Sequence, residues 1–207
     1  MSPPSDRRLY VLGAILWLLA AGSVFTLDGP LARYDISHLP GDLRRLVQLS
    51  EVFAHGMGVG MILVTLWVLD RDHRLFVPRV AALAFLSGII ANLFKLLVTR
   101  HRPSNFDMDA AASTSFIGIP GVLGSSELQS FPSGHTATAV GLALALSSLY
   151  PHGRGLFAAL AVLAAAQRVL SDAHFLSDTL TGAGIACFVA AMLRDRLLWD
   201  ARCGTTR

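Results

Sequence analysis

Three polar clusters interrupt an otherwise strongly apolar chain, and the first carries two cations that could bind one anion. Lys95 lies seven residues before Arg102, and Pro103 follows directly. On one continuous helix, residues seven apart differ in direction by about 20°, so Lys95 and Arg102 would share a face. A guanidinium also offers a bidentate fork to phosphate oxygens. We expect Pro103 to end this helix. The alternative is that Lys95 snorkels and Arg102 anchors the helix at the membrane interface.

The second cluster, Pro132-Ser133-Gly134-His135, comes directly before an apolar run. Ser133 is a favourable N-cap and Gly134 allows close backbone approach, so free N–H groups at the start of a helix would face a bound anion. His135 would project into the same place. Taken alone, the cluster is also explained by an ordinary capping turn.

The third cluster runs from Arg168 to Asp178 and contains His174. His174 and Asp178 are four residues apart, which predicts that they share a helical face within hydrogen-bonding reach. A carboxylate that holds an imidazole in one tautomer leaves the other ring nitrogen free to act as a nucleophile. Arg168 lies six residues, or about 240° of helix, before His174, so the chain must bend between them.

Together the clusters supply three cations, a helix N-terminus, two histidines and one orienting carboxylate. Ionisable residues at the ends of apolar segments are functional candidates, because their burial in a membrane is costly. Positioning and charge stabilisation supply most of the catalysis in phosphoryl transfer. The combination therefore predicts an in-line phosphoryl-transfer site.

The elements that must position these clusters are membrane-spanning helices. The chain has 207 residues, of which 53% are hydrophobic and 15% charged, an unusual composition for a water-soluble protein. Its apolar stretches suit the thickness of a bilayer core and are rich in small residues that permit close packing. We predict an all-α, compact bundle of six transmembrane helices forming a single domain over residues 1–207. The predicted spans are Leu9–Leu27, Val52–Leu69, Val80–Val98, His135–Tyr150, Leu156–Ser171 and Asp178–Leu193.

The distribution of basic residues orients this bundle. With a cytoplasmic N-terminus, the inner segments hold ten of the 17 Lys and Arg residues, in agreement with the positive-inside rule. Both termini are then cytoplasmic, and the three clusters lie at the extracytoplasmic ends of their helices. A cleaved signal peptide is the competing interpretation of the first apolar run, although that run is of span length and lacks a clear cleavage site.

Two connecting segments carry further expectations. Within the loop between the first two spans, the apolar residues of Gly41–Val47 share a helical face opposite the arginines, which predicts a short helix on the outer surface. The segment Ser104–Phe131 is the longest outside the spans, and long loops in compact domains are more often functional than idle. Its position between the first two clusters predicts that it covers the site.

Other functional classes find little support in the sequence. The two cysteines, Cys187 and Cys203, imply no disulfide framework, and no Cys/His cluster has zinc spacing. The net charge of +3 follows the predicted topology and forms no basic patch with interleaved aromatic residues, so nucleic acid is not an expected partner.

The three clusters, in this order and spacing, resemble the three-part signature of the type 2 phosphatidic acid phosphatase superfamily. The resemblance covers Lys95 to Asp178, and the predicted spans extend it across most of the chain. It implies an integral-membrane lipid phosphatase that uses neither a cofactor nor a metal. One departure is Gln167, where the family usually has a serine before the arginine, so a phosphate contact from that side chain is in doubt.

The resemblance also implies a role for each residue. His174 would attack phosphorus to give a phosphohistidine, Asp178 would orient His174, and His135 would protonate the leaving lipid oxygen. Water would then hydrolyse the intermediate. The phosphate oxygens would be held by Lys95, Arg102, Ser133, the Gly134 amide and Arg168. No catalytic role is expected for Arg100 or His101, and the other histidines are interpreted as loop or interface residues.

Two other functions are compatible with parts of the pattern. A vanadate-dependent haloperoxidase has a similar constellation, but those enzymes are soluble and lack six apolar spans. A non-catalytic lipid-binding or transport protein could keep the anion site, although the complete set of two histidines and one carboxylate argues against it. The sequence leaves open the oligomeric state and the choice among phosphatidic acid, phosphatidylglycerol phosphate, undecaprenyl diphosphate and phosphorylated lipid A. A bacterial inner membrane is the expected location.

Overall fold

The computed structural model describes residues 7–34, 36–119 and 126–203, with side chains up to residue 193. These residues contain eight α-helices, seven short 3-10 helices and a two-stranded ribbon. The ribbon pairs β1 (Thr99–Arg100) with β2 (Phe116–Gly118) in antiparallel orientation. The fold is thus mainly helical, as predicted. The helices are α1 (Arg7–Thr26), α2 (Asp28–Ala32), α3 (Gly41–Leu49), α4 (Gly56–Leu69), α5 (Val77–Phe94), α6 (Gly134–Leu149), α7 (Arg154–Leu170) and α8 (Leu176–Cys203).

The apolar helices differ in whether they are long enough to span a membrane. Four unbroken stretches are long and apolar enough, and a fifth span results if Gly41–Phe53 and Gly56–Leu69, which meet at a 72° bend, are taken as one. Helix α6 has 16 residues, and at 1.5 Å per residue it extends roughly 24 Å, less than a bilayer core of about 30 Å. Length and composition thus support four or five spans among the described residues, where the sequence predicted six. The four unbroken stretches that qualify are Arg7–Thr26, Arg74–Phe94, Pro151–Leu170 and Leu176–Leu193.

The short helix α6 occupies the centre of the bundle and packs against α5, α7 and α8. Its close approach to α5 depends on glycine, because a Cβ on Gly141 would lie 2.7 Å from Ser87 Oγ. Leu142 is fully buried at the same level of the helix. Since protein surrounds α6, bilayer thickness does not set its length, and its polar N-terminal end can meet protein groups from three other elements.

The backbone between Lys95 and Arg102 departs from the predicted helix. Helix α5 ends just before Lys95, and β1 follows before Arg102 is reached. The predicted end of the span Val80–Val98 and the predicted common helical face of the two cations are therefore wrong. Pro103 disfavours helical backbone at Arg102, which has φ −78° and ψ 153°. The side chain of Arg100 is also fully buried, and its polar contacts hold this stretch extended.

The backbone around His174 departs from the prediction in a similar way. Helix α8 begins two residues after His174, so His174 precedes the helix that carries Asp178. The predicted common helical face is therefore wrong. Asp178 fixes the start of α8 after His174, because its Oδ2 accepts a 2.9 Å hydrogen bond from the Phe175 N–H just before the helix. The predicted bend after α7 is present, and Asp172 within it has a left-handed φ of 53°.

The predicted surface helix is present as α3, which covers Gly41–Leu49. One side of α3 packs on α7 and buries Val47, whereas Leu43 and Leu46 stay exposed. A helix with exposed leucines beside basic residues is typical of a membrane surface.

Candidate active site

One cavity of about 300 Å³ lies on the side of the bundle where α5 and α7 end and α6 begins. Residues from all three polar clusters line it, although they are up to 79 positions apart in the chain. The cavity also has an apolar wall that includes Phe85 and Ile89 of α5. The predicted site residues along its surface are Lys95, Arg102, Gly134, His135, Arg168 and His174.

The two cations of the first cluster reach the cavity from separate backbone elements. Lys95 is the residue immediately after α5. Arg102 lies beyond β1, and its Nε donates to the Ser126 carbonyl at 2.7 Å while its Nη1 donates to the Ala173 carbonyl at 3.1 Å. These two carbonyls fix the guanidinium at the edge of the cavity. Burial and the nearby Arg102 charge lower the pKa of the Lys95 ammonium to about 8.

The second cluster forms the start of α6. Ser133 is the N-cap, and its Oγ accepts a 3.4 Å hydrogen bond from the Thr136 N–H. Ser133 is fully buried and is not among the cavity-lining residues, whereas Gly134 and His135 are. A Cβ on Gly134 would lie 2.5 Å from Asn92 Oδ1. A larger residue at this position would have to displace the Asn92 side chain or push α6 away from α5.

The third cluster brings Arg168 and His174 together across the bend. The Arg168 carbonyl accepts a 3.1 Å hydrogen bond from the His174 N–H. The Arg168 side chain is only 13% exposed, and its Nη1 donates to Glu51 Oε1 at 2.6 Å. The neighbouring Gln167 is buried but does not line the cavity.

His174 and Asp178 form a buried pair at the inner wall of the cavity. His174 is 2% exposed, and its Nδ1 lies 3.6 Å from Asp178 Oδ2. This separation is longer than a hydrogen bond. Asp178 itself is fully buried behind His174. Burial lowers the pKa of His174 to about 4 although Asp178 opposes the shift, so the imidazole is neutral near pH 7.

Sequence reasoning missed two fully buried charged residues, Asp28 and Arg100. Arg100 Nη1 donates to Asp178 Oδ1 at 2.5 Å, and Arg100 Nη2 donates to Asp28 Oδ2 at 2.7 Å. Both residues adjoin predicted spans, where a charge must find a partner to be buried. That signal was available, but the partner could not be identified from the sequence, since Asp28 and Arg100 are 72 positions apart.

Two further residues near the site come from the break between α3 and α4. Besides Glu51, His55 places its ring 5.8 Å from the ring of His135, measured between centroids. His55 is one of the histidines interpreted from the sequence as loop or interface residues, although it lies inside the predicted span Val52–Leu69. An ionisable residue inside a predicted span was the signal that pointed to this position.

The loop Ser104–Phe131 was predicted to cover the site, but its described residues contact the groups behind the cavity. None of those residues lines the cavity. Ser115 Oγ instead accepts a 2.9 Å hydrogen bond from Arg100 Nε. Ser130 Oγ donates a 2.5 Å hydrogen bond to Asp178 Oδ2. The part of the predicted cover at residues 120–125 lies outside the described residues.

The fold and the cavity define a helical integral-membrane protein with a cavity at one end of its helices that three cations and two histidines line. A family model described as the PAP2 superfamily matches residues 76–199, a range that contains all three polar clusters. The chain belongs to the PAP2 superfamily.

Two curated proteins are similar to the chain over 140 residues, which is 65% of its length. The lipid A 1-phosphatase of Rhizobium johnstonii is 31% identical and is covered over 54% of its length. The lipid A 1-phosphatase of Rhizobium etli is 32% identical and is covered over 56% of its length. The chain thus spans about half the length of these relatives. No solved structure matches the chain.

Proposed function

We propose that the protein is an integral-membrane phosphatase that hydrolyses a lipid phosphate or diphosphate through a phosphohistidine at His174, without a metal. The observation that carries the proposal is the convergence of three cations and two histidines on one cavity. Membership of the PAP2 superfamily and the similarity to two lipid A 1-phosphatases support it.

Binding of the phosphate rests on the cations of the cavity. Lys95, Arg102 and Arg168 approach from different elements, so together they can neutralise phosphate oxygens on several sides. The Gly134 N–H is one of the unpaired donors at the start of α6, which adds a helix terminus to the same site. We assign Ser133 to holding the start of α6, and through it the Gly134 amide.

The first chemical step transfers the phosphoryl group to His174. With Nδ1 directed at Asp178, the other ring nitrogen of neutral His174 attacks phosphorus, and the bond between phosphorus and the lipid oxygen breaks. His135 gives its proton to that oxygen as the lipid leaves. Asp178 orients the imidazole and stabilises the positive charge that develops on it.

The second step restores the enzyme. Water attacks phosphorus, His135 takes up the proton of that water, and the bond between phosphorus and the His174 nitrogen breaks. Inorganic phosphate then leaves the cavity. No step requires a group other than water and the side chains of this chain.

Substrate and orientation form the finer part of the proposal. The apolar wall of Phe85 and Ile89 lies beside the cations, an arrangement that suits a phosphate carried by a lipid. The names of the two relatives make a phosphate of lipid A the first substrate to test, followed by phosphatidic acid and an isoprenyl diphosphate. We place the cavity at the extracytoplasmic side of a bacterial inner membrane and both termini in the cytoplasm, from the distribution of basic residues.

The test measures phosphate release by the purified protein in detergent from lipid A, dioleoyl phosphatidic acid and an isoprenyl diphosphate. His174→Ala should lose release from every substrate, whereas His152→Ala, a matched change at an exposed residue, should keep it. A substrate labelled in its phosphate should leave acid-labile label on the wild-type protein and none on His174→Ala. Equal release by His174→Ala and wild type would remove the proposed nucleophile, and loss of release with a chelator would remove the metal-free mechanism.

A further inference from the structure

A charged network without solvent contact lies behind the cavity. Arg100, Asp28 and Asp178 are each 0% exposed. The guanidinium of Arg100 bridges the two carboxylates, at 2.5 Å to Asp178 and 2.7 Å to Asp28. None of the three lines the cavity, so the network cannot contact a substrate there directly.

The surroundings of Arg100 fix its guanidinium on every side. Its plane lies between the rings of Phe116 and Phe175, with the Arg100 Cζ 4.2 and 4.1 Å from the ring centroids. Its Nε donates to Ser115 Oγ at 2.9 Å, and its Nη1 also donates to Ser177 Oγ at 2.7 Å. A buried cation with this many partners has one available position.

Asp28 holds the far side of the network. Its Oδ1 accepts from Ser23 Oγ at 2.8 Å and from the Ser177 N–H at 2.9 Å. Its Oδ2 accepts from Ser177 Oγ at 2.5 Å and from Arg100. Asp28 thus ties α2 to the start of α8 and to β1. The position of Arg100 is set by elements remote from it in sequence.

The near side of the network determines how Asp178 faces His174. Arg100 occupies Asp178 Oδ1, whereas Oδ2 accepts from Ser130 Oγ at 2.5 Å and from the Phe175 N–H at 2.9 Å. With Oδ1 held by Arg100, Oδ2 is the oxygen that lies 3.6 Å from His174 Nδ1. The carboxylate is therefore held at both oxygens.

We propose that Arg100 is a positioning residue for the His174–Asp178 pair and that Asp28 in turn holds Arg100. The inference rests on the proposed function, because it gives Arg100 an effect on His174 as the nucleophile. Arg100 provides the counter-charge that lets Asp178 stay ionised in a buried position, and it sets the direction of the Asp178 carboxylate. A network that only stabilised the fold would leave the chemistry of each folded molecule unchanged.

The deciding variant is the double substitution Asp28→Asn with Arg100→Met. It removes one negative and one positive charge, so the net charge of the buried network is unchanged while the bridge to Asp178 is lost. We expect kcat per folded molecule to fall about 10- to 100-fold, as for other residues that orient a catalytic side chain. The inhibition constant of inorganic phosphate, a product that the cavity cations bind, should stay within about threefold, since Arg100 does not line the cavity. Folded molecules are counted by size-exclusion chromatography.

Arg100→Lys is the second variant, and it keeps the charge but loses the bridging geometry. It should recover part of the lost kcat, and it decides the question if the double variant does not fold. Asp70→Asn is the control for lost stability, because Asp70 accepts hydrogen bonds from His73 and Tyr150 at the opposite end of the bundle. Asp70→Asn should lower the melting temperature and leave kcat unchanged.

Two results would overturn the inference: wild-type kcat in both Arg100 variants, or a parallel loss of phosphate binding and kcat. The first would make the network purely structural, and the second would show that the cavity itself had collapsed. Failure of the proposed function is distinguishable, because it would show as phosphate release by His174→Ala or as no release by the wild type.

Discussion

Arg168 Nη1 donates a 2.6 Å hydrogen bond to Glu51 Oε1 at the edge of the cavity. Arg168 is one of the cations that we assign to phosphate, so a carboxylate occupies one of its donors before substrate arrives. Glu51 lies in the break between α3 and α4 and is 40% exposed, which leaves it room to move. A bound phosphate must therefore compete with Glu51 for Arg168 or share it.

The competition predicts that Glu51→Gln tightens phosphate binding. The neutral amide holds Arg168 less strongly and removes a negative charge near the incoming anion. We expect KM and the inhibition constant of vanadate to fall by about two- to fivefold, because a partly exposed ion pair is worth at most ~1 kcal/mol. Steady-state kinetics in detergent would measure both constants.

Asp42→Asn is a matched control for this substitution. Asp42 forms an exposed ion pair with Arg45 on α3, so the change removes a carboxylate outside the cavity and should leave both constants unchanged. If Glu51→Gln instead raises KM, Glu51 holds Arg168 in its binding position and does not compete with the phosphate.

The lowered pKa of Lys95 predicts a pH limit for phosphate binding. Its ammonium, with a pKa of about 8 because of burial and the Arg102 charge, is cationic below that pH and neutral above it. The value of kcat/KM should therefore decline as the pH rises through about 8, since this ratio reports the free enzyme. A pH series from 6 to about 10 with one lipid substrate would measure the decline.

Lys95→Arg provides the control for this assignment. An arginine stays protonated across this range, so a variant that retains activity should show kcat/KM that no longer declines near pH 8. A decline at the same pH in the variant would assign the limit to another group.

The sequence predicted which residues would lie close together better than it predicted the backbone that brings them together. Lys95, Arg102, His135 and His174 carry polar chemistry beside apolar runs, so their types and positions identify them without knowledge of the fold. The backbone that brings them together could not be predicted by counting along a helix. Contacts such as those of Arg100 with Asp28 and Asp178 hold part of that backbone, and these partners lie 72 and 78 positions away in the chain.

The number of spans shows the same limit. Helix α6 is apolar over most of its length, but α5, α7 and α8 surround it. Protein packing and not bilayer thickness therefore determines its length of 16 residues. The break between α3 and α4 places Glu51 and His55 near the site. A hydropathy pattern shows an apolar stretch there and contains no information on the 72° bend.

The start of α6 gives a prediction that depends on packing alone. A Cβ on Gly134 would lie 2.5 Å from Asn92 Oδ1, so Gly134→Ala must push α6 away from α5 or displace the Asn92 side chain. Overpacking of this kind costs about 1–3 kcal/mol. Moving the Gly134 amide and His135 together should also lower kcat/KM by about tenfold or more, since a small misplacement of catalytic groups is costly. The measurements are the melting temperature and kcat/KM with one lipid substrate.

Two further variants decide whether this contact is the cause. Gly155→Ala introduces the same methyl group near the start of α7, where the new Cβ would meet no atom within 4 Å beyond its chain neighbours and the backbone of its own helix, and it should leave activity unchanged. Asn92→Ala removes the opposing side chain, so the double variant with Gly134→Ala should regain stability relative to Gly134→Ala alone. If the double variant is no more stable than Gly134→Ala, the cost arises from the helix start itself, and the close contact with α5 does not position the cavity.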